Sequence, residues 1–226
     1  MNVVIFGATG MVGKGVLLEC LDDAHVSRVL DVSRRATEIS HPKLREIVHD
    51  DFFDFTRVSS PFVDLDACFF CLGVSSVGMS ESDYYHLTYD LTLAAATALA
   101  ATAGARLTFC YVSGEGTDST EGGRTAWARI KGKTENALLR LPFKAAYMFR
   151  PGYIQPLRGI RSKTRWYQAM YDVIGGLYPV LRRLFPRYVT TTVNIGRAMI
   201  EVAATGYSKQ IVSSPDINRL AAAHTP

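Results

Sequence analysis

Residues 3–13 read Val-Val-Ile-Phe-Gly-Ala-Thr-Gly-Met-Val-Gly. A short apolar strand, Val3 to Phe6, runs into glycines at 7, 10 and 13 and then into a helical pattern. Few other stretches constrain a fold as tightly. Gly7 lets the chain turn sharply out of the strand, Gly10 lets a ligand approach the backbone, and Gly13 lets the helix pack closely on the sheet. The orphan N–H groups and the positive dipole end of the helix then face the turn, where a pyrophosphate is stabilised. The spacing predicts a βαβ unit that holds a dinucleotide, with Gly7, Thr9, Gly10, Met11, Val12 and Gly13 around the phosphates.

The first half of the chain continues the alternation. Strand patterns cover Arg28–Ser33, Leu44–His49, Leu65–Leu72, Arg106–Val112 and Ala145–Phe149, and helical patterns cover Val12–Leu21, Ser80–Ala103 and Ala126–Leu141. Leu65–Leu72 has no polar alternation, as expected of a central strand covered on both faces. This order predicts an α/β fold, a Rossmann-type doubly wound parallel sheet, with ligands at the C-terminal ends of the strands. From Gly152 the alternation stops. Helical patterns cover 164–185, with Trp166, Tyr167, Tyr171 and Tyr178 as anchors, and 194–205; a short strand at Gln210–Ser213 and a frayed last helix follow. The expected organisation is a nucleotide-binding domain over 1–160 and a small helical C-terminal lobe over 161–226, packed as one unit.

With 48% hydrophobic and 20% charged residues, the 226-residue chain is expected to be a soluble globular protein. No cationic leader precedes the first strand, and no apolar run reaches the roughly 18 residues of a membrane span, so a cytoplasmic location is expected. Residues 1–150 carry 15 basic and 18 acidic side chains, while 151–226 carry 10 and 3. The basic C-terminal third reads mainly as solvated arginines on helix faces; an anionic ligand, an acidic protein and a membrane surface stay open as alternatives. Cys68 and Cys71 have redox-motif spacing but fall within one strand pattern. Residues i and i+3 of a strand stand roughly 10 Å apart on opposite faces, too far for a disulfide, so both read as buried core thiols. The five histidines lack metal-ligand spacing, and no nucleic-acid module is visible.

The second strand ends in Asp31-Val-Ser-Arg-Arg35. An acid at this strand tip selects the ribose 2′-hydroxyl of NAD, while arginine accommodates the 2′-phosphate of NADP. Arg34 and Arg35 are placed to be a phosphate clamp, and Asp31 lies deeper on the same face with a structural role expected. NADP(H) is therefore favoured over NAD(H). Asp50, Asp51 and Phe52, after the third strand, are candidates to meet the adenine.

These residues together resemble the short-chain dehydrogenase/reductase superfamily, nearest to its atypical and extended branches, the NmrA-like and Tat-interacting-protein-like NAD(P)-binding proteins. The resemblance covers roughly residues 1–160 and rests on the three glycines, Arg34-Arg35, Asp51-Phe52, Leu72-Gly73, Ser113 and Arg150-Pro151-Gly152. It implies that Leu72, Gly73, Pro151 and Gly152 line the ribose and nicotinamide side. It also implies a catalytic serine at Ser113 and a lysine at Lys131 that holds the nicotinamide ribose. The superfamily's acid/base tyrosine would stand four residues before that lysine, on the same helix face, and Trp127 occupies the position. An indole N–H donates a hydrogen bond but passes no proton to an alkoxide. The preferred replacement is Tyr153, by the nicotinamide side; Tyr84, Tyr85, His86, Glu115 and Asp118 are further candidates for which packing or solvation is the simpler role.

Two functions stay open. One is an NADP(H)-dependent oxidoreductase or epimerase-like enzyme that acts on a small carbonyl substrate with a non-standard acid/base. The other is a non-catalytic NADP(H)-sensing regulator or scaffold with a protein partner. Homodimers through the long helices are a further expectation of the resemblance.

Overall fold

The computed structural model describes residues 1–160 and 187–225. The expected helices of 164–185, with their aromatic anchors, lie outside the described residues.

The six strands of the alternating half are β1 (Asn2–Phe6), β2 (Arg28–Ser33), β3 (Leu44–Val48), β4 (Ala67–Phe70), β5 (Thr108–Val112) and β6 (Ala145–Arg150). Then come β7 (Tyr153–Gln155), β8 (Val189–Thr191) and β9 (Ile211–Ser213). Seven of them form one sheet in the order β3-β2-β1-β4-β5-β6-β9 with every pairing parallel. The order reverses between β1 and β4, where a doubly wound sheet opens its ligand crevice. β7 and β8 make a separate parallel pair.

Alternation sends successive side chains to opposite faces. Val3 and Ile5 enter one core with α1 (Met11–Asp22), and Val4 and Phe6 enter the other with α3 (Leu91–Thr102). Each of these four strand residues is fully buried. Burial on both faces explains the unbroken apolar runs of the central strands.

The Ser80–Ala103 helix is divided. Ser80 caps α2 (Glu81–Tyr85) by accepting from Asp83 N at 3.1 Å, and a π turn over His86–Asp90 then leads into α3. π turns add a residue to the helical ladder and often mark functional sites. α4 (Ala126–Leu139) follows β5.

The C-terminal residues complete the sheet. β9 pairs with β6, and α5 (Thr192–Thr205) packs on α1 where a Cβ on Gly196 would stand 2.9 Å from Glu19 Cβ. The last helix, α6 (Ser214–Ala223), is regular rather than frayed. Asp216 accepts from Ser213 Oγ at 2.6 Å and from Ser213 N at 3.3 Å, which closes a capping box around Pro215. Beyond it, buried His224 bonds Glu201 Oε2 at 3.1 Å and meets the Asp23 carboxylate, which ties the chain end to α1 and α5.

The strand that carries Cys68 and Cys71 is shorter than expected. It ends at Phe70, so Cys71 lies beyond it, half-buried, while Cys68 stays in the core. Burial pushes the Cys71 thiol up to about 12, which keeps it protonated and unreactive.

Candidate functional site

The glycine turn has the geometry its spacing predicts. Gly7 adopts φ +89°, and a Cβ there would strike the Cys71–Leu72 peptide at 2.9 Å. A Cβ on Gly13 would stand 2.1 Å from the Gly7 carbonyl oxygen, so only glycine lets α1 start this close to β1. Gly10 N donates to Gly7 O at 2.9 Å, and no side chain caps α1 at Gly10. The first turn of α1 also carries no acidic residue. Its backbone donors and dipole are thus left for an anion.

Two clefts open along the strand ends from this turn. The outer one, about 470 Å³, is lined by Gly7, Thr9, Ser33, Arg34, Arg35 and Asp50, among others. The inner one, about 230 Å³, has apolar walls from Phe70, Leu87 and Leu91 and polar points at Thr88, Tyr111 and Lys131. Arg34, Asp50, Phe52 and Leu72 line both, which makes one continuous groove across β1, β2, β4 and β5. A wider hollow of about 580 Å³ lies against the outer side of α3, away from the strand ends.

Arg34 and Arg35 are exposed at the cleft rim. Asp31 lies beneath them, buried, with Oδ1 accepting from Ser33 Oγ at 2.7 Å. Phe52 is buried against Phe6 and Phe55 and closes the cleft floor. Of the acidic pair before it, Asp50 lines the groove, whereas Asp51 turns back to accept from Phe53 N at 2.9 Å. Leu72 and Gly73 line the inner cleft, and Met11 and Val12 form the first turn of α1.

Ser113 and Lys131 meet, but not as a free hydroxyl beside a free ammonium. Lys131 Nζ donates to the Ser113 carbonyl oxygen, and Ser113 Oγ donates to Phe149 O at 3.1 Å. Burial pushes the Lys131 ammonium down to about 8, against the opposing pull of Glu135 one turn on. Trp127 packs against the loop between β5 and α4, where a Cβ on Gly116 would meet its ring at 3.3 Å. Tyr153 sits on β7 with its hydroxyl donating to Gln155 Oε1 at 2.9 Å, and is not among the residues lining either cleft. Gly152 N donates to Ser214 Oγ at 3.0 Å, which ties the Pro151-Gly152 turn to α6.

Of the other donor candidates, Glu115 is exposed in the loop after β5, and the rest pack against or bond protein neighbours. Tyr84 is buried; Tyr85 stacks on Tyr89 with the Lys133 ammonium 5.0 Å from its ring centre. His86 stacks on Phe53 at 4.3 Å. Asp118 accepts from the Thr120 hydroxyl at 2.6 Å and from the Gly123 and Thr120 amides at 2.7 and 3.0 Å, which holds its carboxyl below the usual range. Sequence reasoning missed Thr88 and Thr92 as groove residues: Thr88 sits in the π turn, which has no residue signature, and Thr92 in the first turn of α3 directly after it. Tyr111 is buried and its hydroxyl is pushed far up by burial, yet its ring lines the inner cleft.

Among the described residues no cluster of three metal-ligating side chains occurs, and no helix is long and apolar enough to cross a membrane.

Known structures share this architecture. A short-chain dehydrogenase/reductase family oxidoreductase from Burkholderia thailandensis superposes with a TM-score of 0.69 at 16% identity, over 98% of this chain and 95% of that one. A UDP-glucuronic acid 4-epimerase from Bacillus cereus, solved in complex with NAD, gives 0.63 at 12% identity, over 96% and 80%. At such identities the likeness establishes the Rossmann-type fold. No family model matches the sequence. The mitochondrial protein Fmp52 of Emericella nidulans is 30% identical over 181 residues, 77% of this chain and 75% of the relative. Its Saccharomyces cerevisiae namesake is 26% identical over 228 residues, 96% and 95% of the two chains. The word mitochondrial in both names overturns the cytoplasmic location expected from the sequence; strand and span patterns report on folding, not on cellular address. By that similarity, the chain belongs to the Fmp52 family.

Proposed function

We propose that the chain binds a nicotinamide dinucleotide along the groove, NADP(H) ahead of NAD(H), as a member of the atypical short-chain dehydrogenase/reductase branches that include the NmrA-like and Tat-interacting-protein-like proteins. One observation carries this reading: an uncapped helix start, made possible by Gly13, opens beside two exposed arginines at the end of β2. The residues fit the group. The backbone of Gly7–Gly13 holds the diphosphate, Arg34 and Arg35 the 2′-phosphate, and Phe52 with Asp50 the adenosine side. Lys131 reaches the nicotinamide ribose, while Leu72, Gly73, Pro151 and Gly152 shape that end. The structure of an epimerase of this fold with NAD gives further support.

A bound nicotinamide supplies or accepts a hydride. This chain's side chains then have to position a carbonyl and manage one proton. Lys131 lines the inner cleft, and burial lowers its ammonium to about 8. Ser113 has its hydroxyl committed to Phe149 and Trp127 offers no exchangeable acid, so the orthodox proton path is absent. This favours the non-catalytic NADP(H)-responsive regulator over a fast carbonyl reductase. Tyr153 keeps a part in the enzyme reading only if Gln155 releases its hydroxyl.

Two results check the proposal. Arg34→Ala/Arg35→Ala weakens NADPH by about 100-fold or more, since two charged hydrogen bonds at about 1.5 kcal/mol each sum to about 3 kcal/mol, and weakens NADH less than about threefold. Equal losses for both nucleotides refute the clamp. Against a panel of aldehydes and ketones, wild-type protein leaves NADPH absorbance flat, while Trp127→Tyr consumes it at a rate at least about tenfold above background, because the phenol restores general acid catalysis beside Lys131. Robust wild-type turnover, unchanged by Trp127→Tyr and lost in Tyr153→Phe, would replace the regulator by an enzyme with an unorthodox acid.

A further inference from the structure

At the end of β2, Asp31 and Ser33 stand on one face, two residues apart. Asp31 is 1% exposed. Its Oδ1 accepts the 2.7 Å bond from Ser33 Oγ, and its Oδ2 is buried with no hydrogen-bond partner among the described residues. Ser33 lines the outer cleft together with Arg34 and Arg35. The carboxyl is therefore one hydroxyl away from the place assigned above to the adenosine ribose.

A hydroxyl has a single proton to give. While Asp31 is ionised, Ser33 points that proton inward and shows the cleft only lone pairs. A ribose 2′-hydroxyl can donate to them. A 2′-phosphate, rich in acceptors, cannot, and it also feels the buried negative charge. Once Asp31 is protonated, its own O–H can donate to Ser33 Oγ, and the serine proton can turn to the cleft and serve a phosphate.

We propose that Asp31, acting through Ser33, tunes the cofactor preference that Arg34 and Arg35 set: ionisation of the pair narrows the preference for NADP(H) over NAD(H), and protonation widens it. The proposal rests on the dinucleotide reading. Asp31 touches no ligand; it positions the proton of Ser33, and Arg34 and Arg35 supply the charge that makes either phosphate state bind.

The surroundings suit a proton switch. Burial raises the Asp31 carboxyl to about 6, Ser33 opposes that rise, and the like charge of Glu46 adds to it. Glu46 stands opposite in register on β3, itself held by Thr37 N at 2.6 Å; on the other side β1 contributes only the apolar Ile5. Arg34 and Arg35 follow on the same strand end. A 2′-phosphate brought next to this group raises it further. NADPH binding therefore takes up a proton at pH 7, and NADPH affinity falls as pH rises from 6 to 8, by up to about tenfold per unit. NADH binding involves no such uptake.

The test is calorimetric titration of the full chain with NADPH and with NADH at pH 6, 7 and 8, each in two buffers of different ionisation enthalpy. Wild-type protein, Asp31→Asn and Ser33→Ala are compared. The 2′-phosphate titrates near pH 6 in its own right, but equally for every variant, so differences between variants isolate Asp31. Wild type is expected to take up at least about half a proton more than Asp31→Asn on binding NADPH at pH 7, as linkage requires. Asp31→Asn, whose amide can donate to Ser33 at any pH, is expected to bind NADPH up to about tenfold tighter than wild type at pH 7, one unit of linkage above the carboxyl, and tighter still relative to wild type at pH 8. Ser33→Ala, which keeps the carboxyl but breaks the relay, should flatten the pH dependence of the NADPH-to-NADH ratio, and it serves where Asp31→Asn does not fold. Identical proton uptake and identical pH slopes in wild type and both variants overturn the proposal while leaving the dinucleotide reading intact. Failure of folded wild type to bind either nucleotide overturns the dinucleotide reading, and this inference with it.

Discussion

Gly13→Ala should abolish nucleotide binding and lower the melting temperature of the free protein. The added methyl would lie 2.1 Å from the Gly7 carbonyl oxygen, a backbone atom that cannot swing aside. Either α1 slides away from β1 or the Gly7 turn opens. The first loses part of the packing of Val16 and Leu17, which are fully buried beneath α1; the second loses the φ +89° turn that aims the chain at the groove. Overpacking of this kind typically costs about 1–3 kcal/mol, and here the displacement falls on the diphosphate cradle itself. In a thermal-shift titration, wild type is expected to gain several degrees with excess NADPH, since a ligand that binds only the folded state stabilises it. Gly13→Ala is expected to start lower and gain nothing. A Gly13→Ala protein that melts like wild type and binds NADPH normally would mean that the close approach is not required.

The second large effect lies outside the groove, at the end of β6. Glu135 on α4 is fully buried and forms a bidentate pair with Arg150 at the end of β6, with Nε 3.0 Å from Oε1. Arg150 also donates to Ser119 in the loop after β5. One guanidinium thus ties a strand, a helix and a loop together directly before Pro151-Gly152. Arg150→Ala leaves a carboxylate buried without its partner, which costs about 3–5 kcal/mol. For a chain of this size that lowers the melting temperature by roughly 10 °C. Glu135→Ala/Arg150→Ala removes both charges and should recover part of the loss, because no unpaired ion remains. A double variant that is as destabilised as the sum of the two single ones would show that the pair is not acting as a pair.

What could be read from the residues follows from what fixes each feature. The turn at Gly7–Gly13 was legible because sterics leave no choice of residue there. The strand order was legible because buried parallel strands write unbroken apolar runs and right-handed crossovers limit their arrangement. The arginines at 34 and 35 were legible because they directly follow a strand whose end opens on the groove. The break in the long helix was not, since a π turn over His86–Asp90 carries no residue that a straight helix would refuse. The crossing of α1 and α5 at Gly196 was hidden for a different reason. It joins residues nearly 180 positions apart, and a lone glycine in a helical pattern does not announce its partner. The tie between Asp31 and Ser33 was half visible: the i, i+2 spacing puts both on one face, but burial of the carboxyl follows from Ile5 and Glu46 on the neighbouring strands. Ser113 and Lys131 were recognisable by pattern. Their hydrogen bonds to Phe149 and to the Ser113 carbonyl were not, because backbone acceptors leave no trace in side-chain identity. The location misled because nothing in a folding pattern encodes a cellular address, and relatives named as mitochondrial corrected it.

The proposed grip of the first turn of α1 on a diphosphate is tested directly by a crystal structure of the protein grown with NADPH. Diphosphate oxygens are expected within about 3 Å of the backbone nitrogens at the start of α1, the usual reach of an N–H···O bond, with the 2′-phosphate between Arg34 and Arg35. Well-ordered nucleotide seated elsewhere, or a saturated soak that leaves the Gly7–Gly13 turn bare, would contradict it.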